Sequence, residues 1–505
     1  MTRWRTFQRG HASIPAALQS SGIHGWRRPA LGLAALAAAS LAVVLVTSCM
    51  PRDNAAGSLL EPVSLGAATS ATTPPPAPSG RPSLIDSALA RVQNTADELT
   101  GAASTSGLLA RPMSDEALQA VMPKLGTAEV RLIDIYQLIG QGKHREALGK
   151  ADRLVRDHPN FQLAHLVHGD LLSLQMRPVS QLGDVPDTKA RVAIEQLNVL
   201  RDESRRRLRA LTERPPEGSI PTQFLSLASQ SRHAIAVDAS RSRLYLFENL
   251  TPPQPANSLL DAPPRLKLLA DFYISVGLQG IEKQVEGDKR TPLGVYYITS
   301  NLNPDSLPDL YGVGALPINY PNPLDVQRGK TGSGIWLHGT PREQFVRAPL
   351  ASDGCVVLSN PDLERLLRTV QIRTTPVVIA EELQWVQPEA LDATRQQFED
   401  SLEAWRTAKG QGDLQRLKTF YSSRFQNQGR DLAQWWPRVE SEVRSGSAQR
   451  GVDIKDLSVL QWRDSQDTMV VTFGEVASGQ SRGVTKRQYW MRESDQWKIF
   501  FEGTP

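Results

Sequence analysis

Two cysteines and eight histidines in 505 residues leave little from which to build reactive chemistry. Two thiols exclude a disulfide framework and a Cys-rich zinc site, so each has to be explained singly. Charge of one sign is lacking too. The chain has 57 Lys and Arg against 53 Asp and Glu, but Arg3, Arg5, Arg9, Arg27 and Arg28 lie in a leader without a single acid. The other 52 bases face 53 acids, a balance that offers no electrostatic footprint for nucleic acid. What is present is a globular composition, 40% hydrophobic, with 35 prolines that suggest linkers. At roughly 100 to 200 residues per domain, the length implies about three folded units.

The apolar run Ala30 to Val46 follows Arg27 and Arg28 directly and contains no charge. A positive flank followed by such a run reads as an export signal or a marginal membrane span. It ends Val46, Thr47, Ser48, Cys49, which resembles the bacterial lipobox, whose cysteine is lipidated after export. Cys49 is therefore a lipidation candidate, with an uncleaved anchor as the alternative and twin-arginine export through Arg27 and Arg28 only weakly supported. Either way residues 1–49 place the body on the periplasmic side of the envelope by the positive-inside rule. Residues 50–83, with Thr72 to Pro78 reading Thr-Thr-Pro-Pro-Pro-Ala-Pro, form a Pro-rich disordered tether.

Three periodicities follow. Residues 84–215 carry apolar residues at helical spacing, with Gly142 in a turn, Ala147 and Ala151 one turn apart, and Pro159 closing a helix. These positions resemble one tetratricopeptide repeat running into a second, fewer than a solenoid needs. The expectation is a helical scaffold, open to envelope protein partners. Residues 221–385 switch to short apolar runs, with a hairpin at His233 to Glu248 and strands at Leu268–Val276, Gly294–Thr299, Ile335–His338 and Pro376–Ala380. This predicts a mostly β domain. Residues 389–505 begin with an amphipathic helix at Leu391 to Ala408 and end in four strands, an α+β cone holding six of the ten tryptophans.

Past the leader, one cysteine and six histidines remain, and only His233 and His338 fall in the β segment. Cys355 follows Ser352, Asp353 and Gly354 at a loop-to-strand boundary. A glycine before a nucleophile lets backbone amides approach a reacting carbonyl, so the Gly354 and Cys355 N–H groups are candidates for an oxyanion hole. A nucleophilic thiol also needs a base within reach. His338, ending a strand beside Gly339, is the better choice, and His233 the lesser.

His338-Gly339-Thr340, seventeen residues before Cys355, with Ser352-x-Gly354-Cys355, resembles the signature of the YkuD-type L,D-transpeptidase domain. Ser275-Val276-Gly277 and Gly287 to Gly294 resemble the family's substrate-side wall. The likeness covers roughly 231–381. It implies a β-rich enzyme that attacks peptidoglycan stem peptides through a Cys355 thioester, with His338 as base and the Gly339 carbonyl orienting the imidazole. Ser352, Thr340, Arg290 and Asp353 are the candidates for the substrate side, no cofactor is expected, and metal dependence is not expected because no His, Cys and carboxylate cluster has ligand spacing. Two positions depart from the pattern. Asp353 stands where many members have histidine, and Val357 where many have arginine, which leaves Arg290, Arg342 or Arg347 to meet a substrate carboxylate.

The cone is similar to the nuclear-transport-factor-2-like superfamily, and its fusion to this domain is similar to cell-shape-controlling L,D-carboxypeptidases. Its aromatics either pack a core or line a glycan-binding cone. Its removal is expected to spare thiol reactivity provided the remainder stays folded. Three functions compete: transpeptidase, carboxypeptidase, or a non-catalytic scaffold that grips stem peptides.

Overall fold

The computed structural model describes residues 122–184, 187–252, 259, 263–447 and 451–505. The leader with Cys49, the tether and residues 84–121 of the helical segment lie outside the described residues.

Helices α1 (Thr127–Gly140), α2 (His144–Asp157) and α3 (Gln162–Ser173) each bury one stripe. In α2 the stripe is Ala147, Ala151 and Leu154, spaced four and three residues apart, which puts them on one face. They meet Leu132, Ile135 and Tyr136 of α1 and Leu163, Val167 and Leu171 of α3 in one apolar cluster. Gly142 makes the turn between α1 and α2 with φ +72°, and His158 to Phe161 link α2 to α3. A longer helix, α4 (Asp187–Thr212), follows.

The central sheet has nine strands. After β1 (Ile220–Pro221) and β2 (Phe224–Ser226), it is built from β3 (His233–Asp238), β4 (Arg243–Asn249), β5 (Leu266–Gly277), β6 (Gly294–Tyr297), β7 (Ala315–Pro317), β8 (Trp336–His338), β9 (Leu350–Ser352), β10 (Val356–Leu358) and β11 (Pro376–Ala380). The order is β6-β11-β3-β4-β5-β10-β8-β7, with β9 on β5. Most pairs are antiparallel, but β11 with β3, β10 with β8 and β9 with β5 are parallel. The expected hairpin is β3–β4, paired from His233↔Glu248 to Asp238↔Arg243.

Both faces of this sheet are covered, which is why its strands read as continuous apolar runs. A short helix, α5 (Pro323–Gln327), follows β7, and Ile235 and Val237 point into a core closed by helix α6 (Asn360–Thr369) through Leu363 and Leu366. Ala234 and Ala236, alternating with them, face the opposite way. There they share a second core with Phe398, Leu402 and Trp405 of helix α7 (Asp392–Gln411) and with the C-terminal sheet. Two short pairs, β1 with β12 (Trp385–Val386) and β13 (Gln426–Asn427) with β14 (Arg430–Asp431), stand apart from that sheet, which runs β18 (Gln496–Gly503), β17 (Val484–Glu493), β16 (Thr468–Ala477), β15 (Val452–Trp462) and then β2, an upstream strand that pairs Val459↔Ser226 and Leu460↔Phe224. Trp405, Trp435, Trp436, Trp462, Trp490 and Trp497 are all buried in this core, so the cone's tryptophans are packing residues.

A shared core changes the expectation for truncation. Deleting 391–505 removes most of the core that Phe224, Tyr245, Phe247 and Val378 share and leaves β2 without its partner. Buried aromatic and aliphatic side chains are worth roughly 1.5–3 kcal/mol each, and a domain's whole stability is about 5–15 kcal/mol. The truncated chain is expected to lose cooperative folding. A single sharp thermal transition by circular dichroism, at a temperature close to that of the full chain, would contradict this.

The helices are fastened to the sheet by buried charge. Fully buried Arg243 of β4 donates to Glu129 of α1 at 2.9 Å and to Asp271 of β5 at 2.5 Å. Arg207 of α4 bridges Glu129 at 3.0 Å and Glu203 at 2.8 Å. Such a network offsets its desolvation only with every partner in place, so it fixes how α1 and α4 sit on β4 and β5.

Candidate active site

Parallel pairing of β8 and β10 brings together residues seventeen apart in sequence. The register sets Leu337 beside Val356 and His338 beside Val357, so Cys355 reaches the sheet one residue before β10 and next to the strand that ends in His338. Both line one cleft of about 170 Å³, together with Lys283, Tyr311, Gly334, Arg347 and Asp353.

His338 is buried, and its Nδ1 lies 2.7 Å from Gly339 O. A carbonyl oxygen only accepts, so Nδ1 carries the proton and Nε2 the lone pair. Burial pushes His338 down to about 4, opposed by the Gly339 bond and assisted by the Arg347 charge. The imidazole is therefore neutral at pH 7. The Tyr311 ring lies edge-on to it at 5.0 Å. Cys355 is half-buried, with Sγ 3.5 Å from Gly334 O. Burial raises its thiol above the ordinary value, against the lowering effects of the Trp336 backbone and of Arg347. The pair is thus a thiol and a neutral imidazole lining one cleft.

The loop carrying Cys355 is cross-braced. Ser352 Oγ donates to Cys355 O at 2.6 Å and accepts from Gly354 N at 3.1 Å. Thr291 Oγ1 donates to Gly354 O and accepts from Gly277 N, both at 2.9 Å. Ser352 is accordingly a brace for the loop that carries Cys355. The bond to Ser352 also occupies Gly354 N–H, one of the two amides expected in the oxyanion hole. Gly354 has φ +122°, and a Cβ there would stand 2.7 Å from Arg290 O. Gly354→Ala is expected to cost about 1–3 kcal/mol through backbone strain, read as a lower melting temperature together with a changed alkylation rate at Cys355. Unchanged values of both would show that the loop tolerates a side chain.

The His338 side is held by a residue that sequence reasoning missed. Asn360, the first residue of α6, accepts from Thr340 N at 3.1 Å and donates to Thr340 O at 2.9 Å. A Cβ on Gly339 would fall 2.1 Å from Asn360 Oδ1, so glycine is what lets the clamp close. Thr340 is buried with its hydroxyl donating to Gln344 O at 2.7 Å, which makes it a loop anchor. The only sequence signal for Asn360 is its place between a strand and Pro361, which reads equally well as an ordinary helix start.

Of the three arginines weighed against Val357, one lines the cleft. Arg347 does, near both His338 and Cys355. Arg290 turns away to donate to Ile281 O at 2.8 Å, and exposed Arg342 pairs with Asp309 at 3.6 Å. Asp353 sits at the rim, exposed, with Lys289 at 3.8 Å. His233 lies elsewhere, its Nδ1 3.0 Å from Gln371 Oε1. Among the described residues no group of three or more His, Cys, Asp or Glu is placed to hold a metal ion.

Residues 232–379 match the family model of the YkuD L,D-transpeptidase catalytic domain. Residues 397–503 match that of the Cds6 C-terminal NTF2-like domain. The chain thus carries an L,D-transpeptidase-family catalytic domain, of a family that acts on peptidoglycan, fused to an NTF2-like domain. Among solved structures it is similar to Bdellovibrio bacteriovorus Bd1075, with 25% identity over 57% of this chain and 98% of that one and a TM-score of 0.46. It is also similar to the helical cell shape determining protein Pgp2 from Campylobacter jejuni, with 21% identity over 56% of this chain and 95% of that one and a TM-score of 0.43. No curated protein matches the chain.

Proposed function

We propose that the protein is a cysteine-dependent L,D-transpeptidase that remodels the bacterial cell wall through a Cys355 thioester. The observation that carries this is the pairing, in one cleft inside the YkuD match, of a thiol with an imidazole whose Nδ1 is pinned to Gly339 O at 2.7 Å. His338 Nε2 takes the thiol proton as sulfur attacks the carbonyl on the L-centre side of the scissile bond. The S–C bond forms, the C–N bond breaks, and the imidazolium returns its proton to the departing D-alanine amine. Arg347 supplies the cation for the terminal carboxylate of the stem, the role left open by Val357.

An amine acceptor resolves the thioester into a cross-link, and water resolves it into a tripeptide. In either reading, Cys49 or the uncleaved leader would hold the enzyme at the periplasmic face of a membrane. Mass spectrometry of muropeptides after incubation with tetrapeptide-rich peptidoglycan tests both. Cross-linked dimers support transfer, tripeptides support hydrolysis, and unaltered tetrapeptides under binding conditions support the scaffold instead.

A further inference from the structure

Arg347 enters the cleft from residues 341–349, a segment with no helix or strand of its own. Such a segment has no ladder to hold it, and fixing each backbone residue costs about 1–2 kcal/mol. Several of the groups that hold it belong to the helices. The Phe345 ring packs 4.6 Å from that of buried Phe161 and 4.8 Å from that of His158, joining the helical core with Val346. Asn160 Nδ2 donates to Arg342 O at 2.8 Å, and Phe345 N donates to Asn160 O at 3.4 Å. At Arg347 itself, the backbone carbonyl accepts from Tyr273 OH at 3.1 Å, and the Tyr273 ring is covered by the Arg207 guanidinium of α4 at 4.0 Å. The α2–α3 connection therefore grips the segment at residues 342 and 345, and Tyr273 of β5, covered by α4, holds it at 347.

We propose that the helical domain is a positioning element for the enzyme: through Asn160, Phe161 and Phe345 it fixes the 341–349 segment so that Arg347 meets the substrate carboxylate. The inference rests on the role given to Arg347 under the proposed function. It makes Phe345 and Asn160 positioning residues, acting on substrate affinity through the arginine. A guanidinium that must be ordered at each encounter loses the advantage of preorganisation, which appears in KM and not in kcat.

The test uses the full chain and a soluble disaccharide tetrapeptide. Phe345→Ala is expected to raise KM about tenfold with kcat within twofold, and Arg347→Ala to raise KM at least as much. The double variant should be no worse than Arg347→Ala alone, because the anchor acts only through the arginine. Because Arg347 is one of the groups that lower the Cys355 thiol, its alkylation should slow in Arg347→Ala and by no more than that in Phe345→Ala, whereas a merely loosened fold would speed it. Should Phe345→Ala fail to fold, Phe345→Leu and Asn160→Ala weaken the same anchorage, and a KM rise in them supports the proposal. An unchanged KM in Arg347→Ala, or no turnover by the unaltered protein, would overturn the reading on which this rests. A raised KM in Arg347→Ala with unchanged KM in the anchor variants, or additive losses in the double variant, would overturn the positioning role itself.

Discussion

Cys355→Ala is expected to abolish turnover of stem peptides, to below one part in about 10³ of the unaltered rate, since removing the attacking atom leaves only binding and orientation. Cys355→Ser is expected to do nearly as badly. A hydroxyl is far less acidic than a thiol, and a neutral imidazole of depressed basicity is a poor match for it. Cys49→Ser should leave the soluble body's rate intact and alter only membrane retention. Rate assays on the three variants, with membrane fractionation of the third, check this division of labour. Equal losses at Cys49 and Cys355 would contradict it.

His338→Ala is expected to cost about 10²-fold or more in rate, the scale of losing a positioned general base, while His233→Ala costs little. The pH dependence is a sharper check. Because burial holds His338 down to about 4, the acid limb of the rate should fall near pH 4 and not near the ordinary imidazole value. The same depression acts on stability. The unfolded chain binds this proton more readily than the folded one, so stability falls as pH drops from about 6.5 towards 4. Above about 6.5 the group is neutral in both states and the effect vanishes. The raised Cys355 thiol should make alkylation at pH 7 slow, so a reactive thiol is not the signature to look for. A rate profile with its acid limb near 6.5, or a larger loss at His233, would mean that the imidazole is not the buried neutral base described.

Scarcity made the central pair legible in the sequence. With one cysteine and two histidines in the β segment, few pairings exist, and Gly339 and Gly354 mark the two that lie at turns. The hairpin from His233 was legible because both of its strands are covered on two sides and read as unbroken apolar runs. Other features depend on where the fold sends a side chain. Nothing in the sequence tells that the Ser352 and Thr340 hydroxyls bond Cys355 O and Gln344 O. Arg347 is one of many arginines until residues 341–349 are placed against the helices. Strand β2 has three residues, and its partner lies more than two hundred residues away, a separation that no local pattern records. Asn360 is concealed by being a plausible helix start.

Intact-protein mass spectrometry during turnover tests the central claim most directly. After brief mixing with a tetrapeptide stem and acid quenching, the account predicts a covalent adduct equal to the stem less its terminal D-alanine. That adduct should map to Cys355 on digestion, be released by hydroxylamine as a thioester is, and be absent in Cys355→Ala. Peptide cleavage that proceeds with Cys355 unmodified at every time point and unaffected by its replacement would contradict the account.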